Sequence, residues 1–180
     1  MHVDLLRDTA KTMPLHAKPA SVKSAKIWHC KYRSVAPLSE YRNLRALCIA
    51  THPDDNLEML RGLQRLEWLK IIHLPKVRDL TPIADLGKLQ SLSLQTLPGW
   101  DASGKTTTIE SLAPLKDLPR LRHLELFGIR PPDKSLEALH DCRHLKSARF
   151  SKFGKLATKA FYEAVGASND FMPESPLIPD

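Results

Sequence analysis

One leucine pattern occurs five times along this chain and limits what the chain can fold into. Each copy follows LxxLxxLxxLxxLxL, with Val, Tyr, Ile, Cys, Ala or Phe at some of the leucine positions. The first four apolar positions recur every three residues, as on one face of a tight helical turn, and the last two recur every second residue, as in a strand. Each copy is therefore predicted to be a short helical segment followed by a short strand, and stacked copies are predicted to share one core. The copies occupy residues 35–49, 57–71, 80–94, 112–126 and 136–150.

The spacing of the copies predicts the architecture. Successive copies start 22, 23, 32 and 24 residues apart, and a half-copy at Ala25 and Ile27 precedes Leu47 and Ile49 by 22 residues. This pattern resembles the leucine-rich repeat family, and most of all its short 22-residue bacterial class, typified by internalins, together with the regulatory subunit of phosphatase 1. The resemblance implies an α/β solenoid of about six strands. A curved parallel sheet would form its concave side, and short 3₁₀ or helical segments its convex side.

The solenoid is expected to have three parts. Residues 1–24 are predicted to form an N-terminal cap and basic segment, and residues 25–153 the repeats, with an insertion at 98–108. Residues 154–180 are predicted to form a C-terminal capping helix and tail. In that helix Leu156, Phe161 and Val165 are expected to share one face, and the helix is expected to end near Gly166.

One column of the repeat departs from the family pattern. The family usually has Asn three residues after the second strand leucine, and the chain has no Asn there. An apolar stack is expected instead, so other groups must satisfy the backbone of the turns. Cys142 and the cysteine of this column are predicted to be buried, whereas Cys48 is predicted to point outward. The column reads Cys30, His52, Leu74, Leu97, Ile129 and Phe153.

Charge and cysteine content narrow the class of protein. The 180 residues carry a formal charge of +7, and residues 7–45 contain nine Lys or Arg against two acids. This basic quarter is either a solvated surface or a contact for nucleic acid. Three widely spaced cysteines argue against a disulfide framework and a zinc site. With no apolar run long enough for a signal peptide or a membrane span, a cytoplasmic protein without a membrane partner is predicted.

Residues 99–106, GWDASGKT, match the phosphate-binding pattern G-x-x-x-x-G-K-[ST] through Gly99, Gly104, Lys105 and Thr106. A phosphate loop needs a full helix beginning at the Lys-Thr step. Three threonines and then Pro114 follow instead, and both are unfavourable to such a helix. The stretch is therefore interpreted as an insertion between repeats, and nucleotide binding remains the less favoured alternative. His140 and His144 have metal-compatible i, i+4 spacing but are expected to be ordinary surface residues.

The strand positions that alternate with the leucines are predicted to form the concave surface, where this family binds its partners. Aromatic and Arg side chains there are typical of a protein-binding hot spot, although a cap or loop covering the rings, above all Trp28, is the alternative. The prediction is a non-enzymatic, monomeric protein-binding module without a cofactor, in the role of an inhibitor or immunity-type protein. The residues predicted to bind the partner are Trp28, Trp68, Lys70, Ile72, His73, Trp100, His123, Glu125, Phe127 and Arg149.

Overall fold

The computed structural model describes residues 1–96, 105–171 and 173. In this part of the chain seven parallel strands form one sheet, ordered as they follow one another in sequence. They are β1 (His2–Leu6), β2 (Ser24–Trp28), β3 (Ala46–Ala50), β4 (Trp68–Ile72), β5 (Ser91–Gln95), β7 (His123–Phe127) and β9 (Ser147–Phe150). Two short strands, β6 (Thr107–Thr108) and β8 (Ile129–Arg130), pair separately beside it. The predicted parallel solenoid is confirmed.

The sheet starts one strand earlier than the leucine motif indicates. Strand β1 pairs with β2 so that His2 lies opposite Ser24, 22 residues later, which is the spacing of the following rungs. The N-terminal segment therefore adds a strand as well as covering the end of the core. Beyond β1, Met13 is 4% exposed, and the amide of His16 donates to the Tyr41 hydroxyl at 3.0 Å.

The motif positions build the core as predicted. Of the thirty apolar positions in the five copies, all but Phe150 are at most 4% exposed, and Phe150 packs with its ring centroid 4.8 Å from that of Phe161. Opposite the strands lie short helical segments. They are 3₁₀ turns at Ala36–Glu40, Glu58–Gly62 and Glu137–Leu139, and one-turn helices α1 (Thr81–Ala84) and α2 (Ala113–Lys116). Pro114 falls in the first two positions of α2, where its missing N–H costs no hydrogen bond.

A turn-forming polar residue, which the leucine pattern does not reveal, precedes every copy. It is Ser, Asn or Asp, and its side-chain oxygen accepts the backbone N–H two residues later at 2.8–3.1 Å. Such local bonds stabilise the turn that starts each convex segment. The residues are Ser34, Asn56, Asp79, Ser111 and Ser135.

The turn after each strand is satisfied by the next rung. The first residue after the strand takes a left-handed conformation after β1, β2, β3, β4 and β7, with φ of 50–72°. Thr96 after β5 does not, and after β9 the left-handed residue is the second one, Lys152. After β1 to β5 the backbone N–H of the first residue donates to the last strand carbonyl of the following rung, as from Thr51 to Ile72 at 2.7 Å and from His73 to Gln95 at 2.7 Å. This ladder satisfies backbone N–H groups of the turns by main-chain bonds alone. The N–H of Gly128 donates instead to the Ser151 hydroxyl oxygen at 2.8 Å. The left-handed residues are Arg7, His29, Thr51, His73, Gly128 and Lys152.

The column without Asn is largely apolar, as expected. Leu74 and Ile129 are fully buried, and His52 is 2% exposed, with its Nε2 2.9 Å from the carbonyl oxygen of Asn56. Cys30, predicted to be buried, is only half-buried, and its thiol lies 3.2 Å from the carbonyl oxygen of Leu5. Cys142 is 1% exposed. Leu97 lies outside the described residues.

The capping helix α3 (Lys155–Val165) covers the last strand. Phe161 is fully buried and Val165 is 9% exposed, but Leu156 is 85% exposed. The prediction for Leu156 is therefore wrong, because it lies in the first turn, before the helix meets the core. Gly166 ends the helix with φ 75° and donates to the Tyr162 carbonyl, as a left-handed C-cap does. No helix within the described ranges has the length and apolar character needed to cross a membrane.

Candidate protein-binding face

The inner face is the side of the sheet that points away from the leucine core. Its side chains alternate with the buried leucines, and the strand register places equivalent residues of successive rungs next to one another. The central row of this face reads Asp4, Lys26, Cys48, Lys70, Ser93, Glu125 and Arg149. The row nearer the strand ends reads Leu6, Trp28, Ala50, Ile72, Gln95 and Phe127.

A buried carboxylate organises the C-terminal half of the inner face. Glu125 is only 4% exposed, and its Oε2 accepts the Ser93 hydroxyl at 2.7 Å and the Gln95 side-chain amide at 2.6 Å. The Gln95 amide also lies 3.1 Å from the Ser93 hydroxyl oxygen. The three side chains contact one another pairwise and so form one closed polar cluster.

Arg149 extends this cluster to the surface. Its Nε lies 3.6 Å from Oε1 of Glu125, and its side chain is 52% exposed. The guanidinium carbon also lies 5.8 Å from the ring centroid of Phe127, which is within the range of a cation–π contact. One contiguous group on the inner face thus contains three residues of the predicted binding set: Glu125, Phe127 and Arg149.

A second aromatic group lies at the N-terminal end. Lys26 places its Nζ 5.4 Å from the centroid of the Trp28 ring, and Trp28 meets the His29 ring edge-on at 5.4 Å. A cavity of about 380 Å³ opens beside them, lined by Leu6, Arg7, Lys26 and Trp28. Trp28 is half-buried, and its ring forms part of the wall of this open cavity.

The middle of the inner face is more tightly packed than the sequence indicates. Ile72 is 8% exposed, and Cys48 is 5% exposed. Cys48 points away from the leucine core, as predicted, but it is buried there because the longer side chains of Lys26 and Lys70 flank it on the neighbouring strands. Burial raises the pKa of the Cys48 thiol, partly offset by these two lysines, so the thiol is poorly reactive. Trp68 is half-buried here.

Two histidines of the predicted set lie at opposite rims of the inner face. His123 is bonded through Nδ1 to the Ser147 hydroxyl at 2.8 Å, and burial lowers its pKa, helped by Lys146 and Arg122. His73 is in the left-handed column, and its buried Nδ1 finds no hydrogen-bond partner among the described residues. The buried Nε1 of Trp68 likewise finds no hydrogen-bond partner among the described residues. Trp100, the remaining predicted residue, lies outside the described residues.

The structure does not provide the context that the phosphate-loop match needs. Residues 99–104 of the match lie outside the described residues. Directly after Lys105 and Thr106 comes strand β6, and the next helix starts only at Ala113. A phosphate loop needs the helix to begin at the Lys-Thr step. In residues 1–96, 105–171 and 173, no cluster of three or more His, Cys, Asp or Glu could hold a metal ion.

The sheet, its convex turns and its leucine core define the leucine-rich repeat fold. Solved structures share it: an internalin from Listeria monocytogenes matches with a TM-score of 0.59 and 20% identity, over 89% of this chain and 44% of that one. A leucine-rich repeat protein from Leptospira interrogans matches with a TM-score of 0.51 and 14% identity, over 94% of this chain and 54% of that one. This chain thus spans about half the length of either protein. No family model matches its sequence, and no curated protein does.

Proposed function

We propose that this chain is a non-enzymatic module that binds another protein through its inner face. The observation that carries the proposal is the Glu125–Phe127–Arg149 group, in which a buried acid holds a half-exposed arginine beside an aromatic ring. Arginine and aromatic anchors held in place before contact are typical of interface hot spots, because less side-chain entropy is lost on binding.

The inner face also has the extent that a protein partner requires. Seven strands spaced about 4.8 Å apart span about 29 Å. That is enough for a standard interface of about 800 Å² per partner. The leucines form the core on the other side of the sheet, so the aromatic side chains of the inner face are not needed to build that core. They are available for recognition instead.

A bacterial inhibitor or immunity-type protein is the role we propose, as a cytoplasmic monomer that sequesters one protein. Support comes from the fold that the chain shares with bacterial repeat proteins.

The test is capture of the partner by the tagged full chain from its native host, followed by mass spectrometry. The double variant Trp68→Ala/Phe127→Ala should lose the captured protein while keeping its circular dichroism spectrum and unfolding midpoint. The matched control is Leu156→Ala, which removes an exposed apolar side chain from α3, off the inner face, and should capture as the parent does. Equal capture by the double variant would place the interface elsewhere.

A further inference from the structure

We infer that the inner face over strands β1–β4 binds an acidic segment of the partner that also carries an apolar side chain. This inference rests on the proposed function and assigns the chemistry of what is bound at one end of that surface. It is carried by the two lysines of the central row, by the cavity at the end of β1 and by the difference in charge between the two halves of the sheet.

The lysines of this half are available to a partner. Among the described residues, neither Lys26 nor Lys70 has a carboxylate within 4.0 Å, although Asp4 lies opposite Lys26 in the strand register. Lys26 is instead directed over the Trp28 ring. In the other half the central cation, Arg149, already lies beside Glu125. Positive charge that is not in an ion pair with a carboxylate of the described residues is therefore concentrated over β2–β4, where a partner's carboxylates would gain most.

The cavity beside Trp28 adds an apolar component to the same region. Its walls include Leu6, which is 55% exposed, and the Trp28 ring, while Arg7 and Lys26 contribute two cations. A cavity with apolar walls and two cationic side chains suits an apolar residue next to an anionic one. An uncharged apolar segment would leave the two cations partly desolvated and unpaired.

The spacing of the lysines suits a peptide segment. Lys26 and Lys70 lie two strands apart, which is about 10 Å at the usual interstrand spacing. An extended chain rises about 3.3 Å per residue and alternate side chains share a face, so acidic residues two or four positions apart, about 7 or 13 Å, lie close to this spacing and could reach both flexible lysines. Binding would then need only a short stretch of the partner, with its apolar side chain in the cavity.

The distribution of the other basic residues favours a protein segment over nucleic acid. Lys23 and Arg45 come directly before β2 and β3, Lys31 and Arg33 follow β2, and Arg42 lies in a convex turn. These residues are thus divided among the two ends of the strands and the convex side. A nucleic-acid site needs a continuous stripe of cations along a phosphate backbone. In the central row of the inner face the cations are not continuous, because Cys48 and Ser93 lie between them.

The experiment measures fluorescence anisotropy of labelled probes with the full chain. The probes are the peptide EEWEEFEE, its uncharged counterpart QQWQQFQQ and a 12-base-pair DNA duplex. The acidic peptide should bind at least tenfold more tightly than the uncharged one, and its affinity should fall between 50 and 300 mM salt. Tighter binding of the duplex than of the acidic peptide would overturn the inference in favour of nucleic acid, and equal binding of both peptides would also overturn it.

Charge reversal locates the site. Lys26→Glu/Lys70→Glu should weaken acidic-peptide binding at least tenfold, whereas the control Lys88→Glu/Lys116→Glu, on exposed positions outside the strands, makes the same change in net charge and should bind as the parent does. An equal loss in both double variants would show only a general charge effect and would overturn the inference.

The captured partner separates this inference from the proposed function. If capture is lost with Trp68→Ala/Phe127→Ala but unchanged with Lys26→Glu/Lys70→Glu, the protein-binding face stands and the acidic segment is refuted. If neither pair of substitutions affects capture, both proposals are refuted.

Discussion

The polar cluster around Glu125 predicts a measurable coupling between residues on neighbouring strands. In Glu125→Ala the fully buried Ser93 hydroxyl loses its acceptor, whereas the half-buried Gln95 amide can turn to water. Leaving a buried donor unsatisfied costs about 1–3 kcal/mol. We therefore expect Glu125→Ala to lower the free energy of unfolding by about 2 kcal/mol. At about 2–4 °C per kcal/mol, that is a fall in melting temperature of about 4–8 °C for a chain of this size.

A double-mutant cycle distinguishes the hydrogen bond from a general loss of packing. Urea unfolding of the parent, Ser93→Ala, Glu125→Ala and the double variant should give a coupling energy of about 1–2 kcal/mol, since each single variant leaves the other side chain without its partner. The control is Glu67→Ala, which removes the bidentate pair with the half-exposed Arg45 and should cost less than about 1 kcal/mol.

The reasoning would be refuted by a coupling energy below about 0.5 kcal/mol, the level found for independent sites. That result would mean that the Ser93 hydroxyl finds another acceptor and that Glu125 does not organise this half of the inner face. Weak coupling would also remove the structural reason for expecting Arg149 to be held in place before binding.

Three further predictions concern pH, backbone conformation and thiol chemistry. Burial lowers the pKa of His52 below its ordinary value of 6.5. The unfolded chain therefore binds the proton more readily, and stability that is present above pH 6.5 is lost as the pH falls. The variant His52→Leu should narrow the difference in urea unfolding midpoint between pH 7.5 and pH 5.5, whereas the control His144→Gln, at an exposed position, should leave that difference unchanged. Gly128→Ala should destabilise by about 1–2 kcal/mol, measured by thermal unfolding, because φ is 69° there; an unchanged midpoint would contradict the left-handed turn. Burial raises the pKa of Cys142 to about 11 and also raises that of Cys48, so neither should react with Ellman's reagent at pH 8 until urea unfolds the chain, and rapid native labelling of either would disprove its burial.

The repeat was predictable from sequence because one strong physical signal specifies it. The switch from a period of three to a period of two, repeated five times, leaves few alternatives to stacked rungs. The leucine pattern does not predict strand β1, because the helical half of a copy does not precede it. Only the 22-residue spacing between His2 and Ser24 would have indicated it.

The inner face was harder to predict, since alternation places a residue on a face but does not say how its neighbours cover it. Cys48 is buried by the lysines on either side, and Ile72 is mostly buried too. The contacts of Glu125 with Ser93 and Gln95 depend on side-chain rotamers and on the pairing between β5 and β7. The sequence does not reveal this pairing directly, because the contacting residues are 30 or more positions apart. The turn-forming polar residues before each copy were predictable from Ser, Asn and Asp at one fixed position.

The parallel register has a consequence for how such a surface can change over time. Because each rung pairs with only the rungs beside it, a substitution on the inner face is felt mainly by its two immediate neighbours. Under the proposed function, a position such as Lys70 can therefore vary singly and alter which protein is recognised, while the core beneath keeps its stability. Ser93 and Glu125 are different, because each depends on the other across strands; a lineage would have to replace them together, and they should drift as a pair.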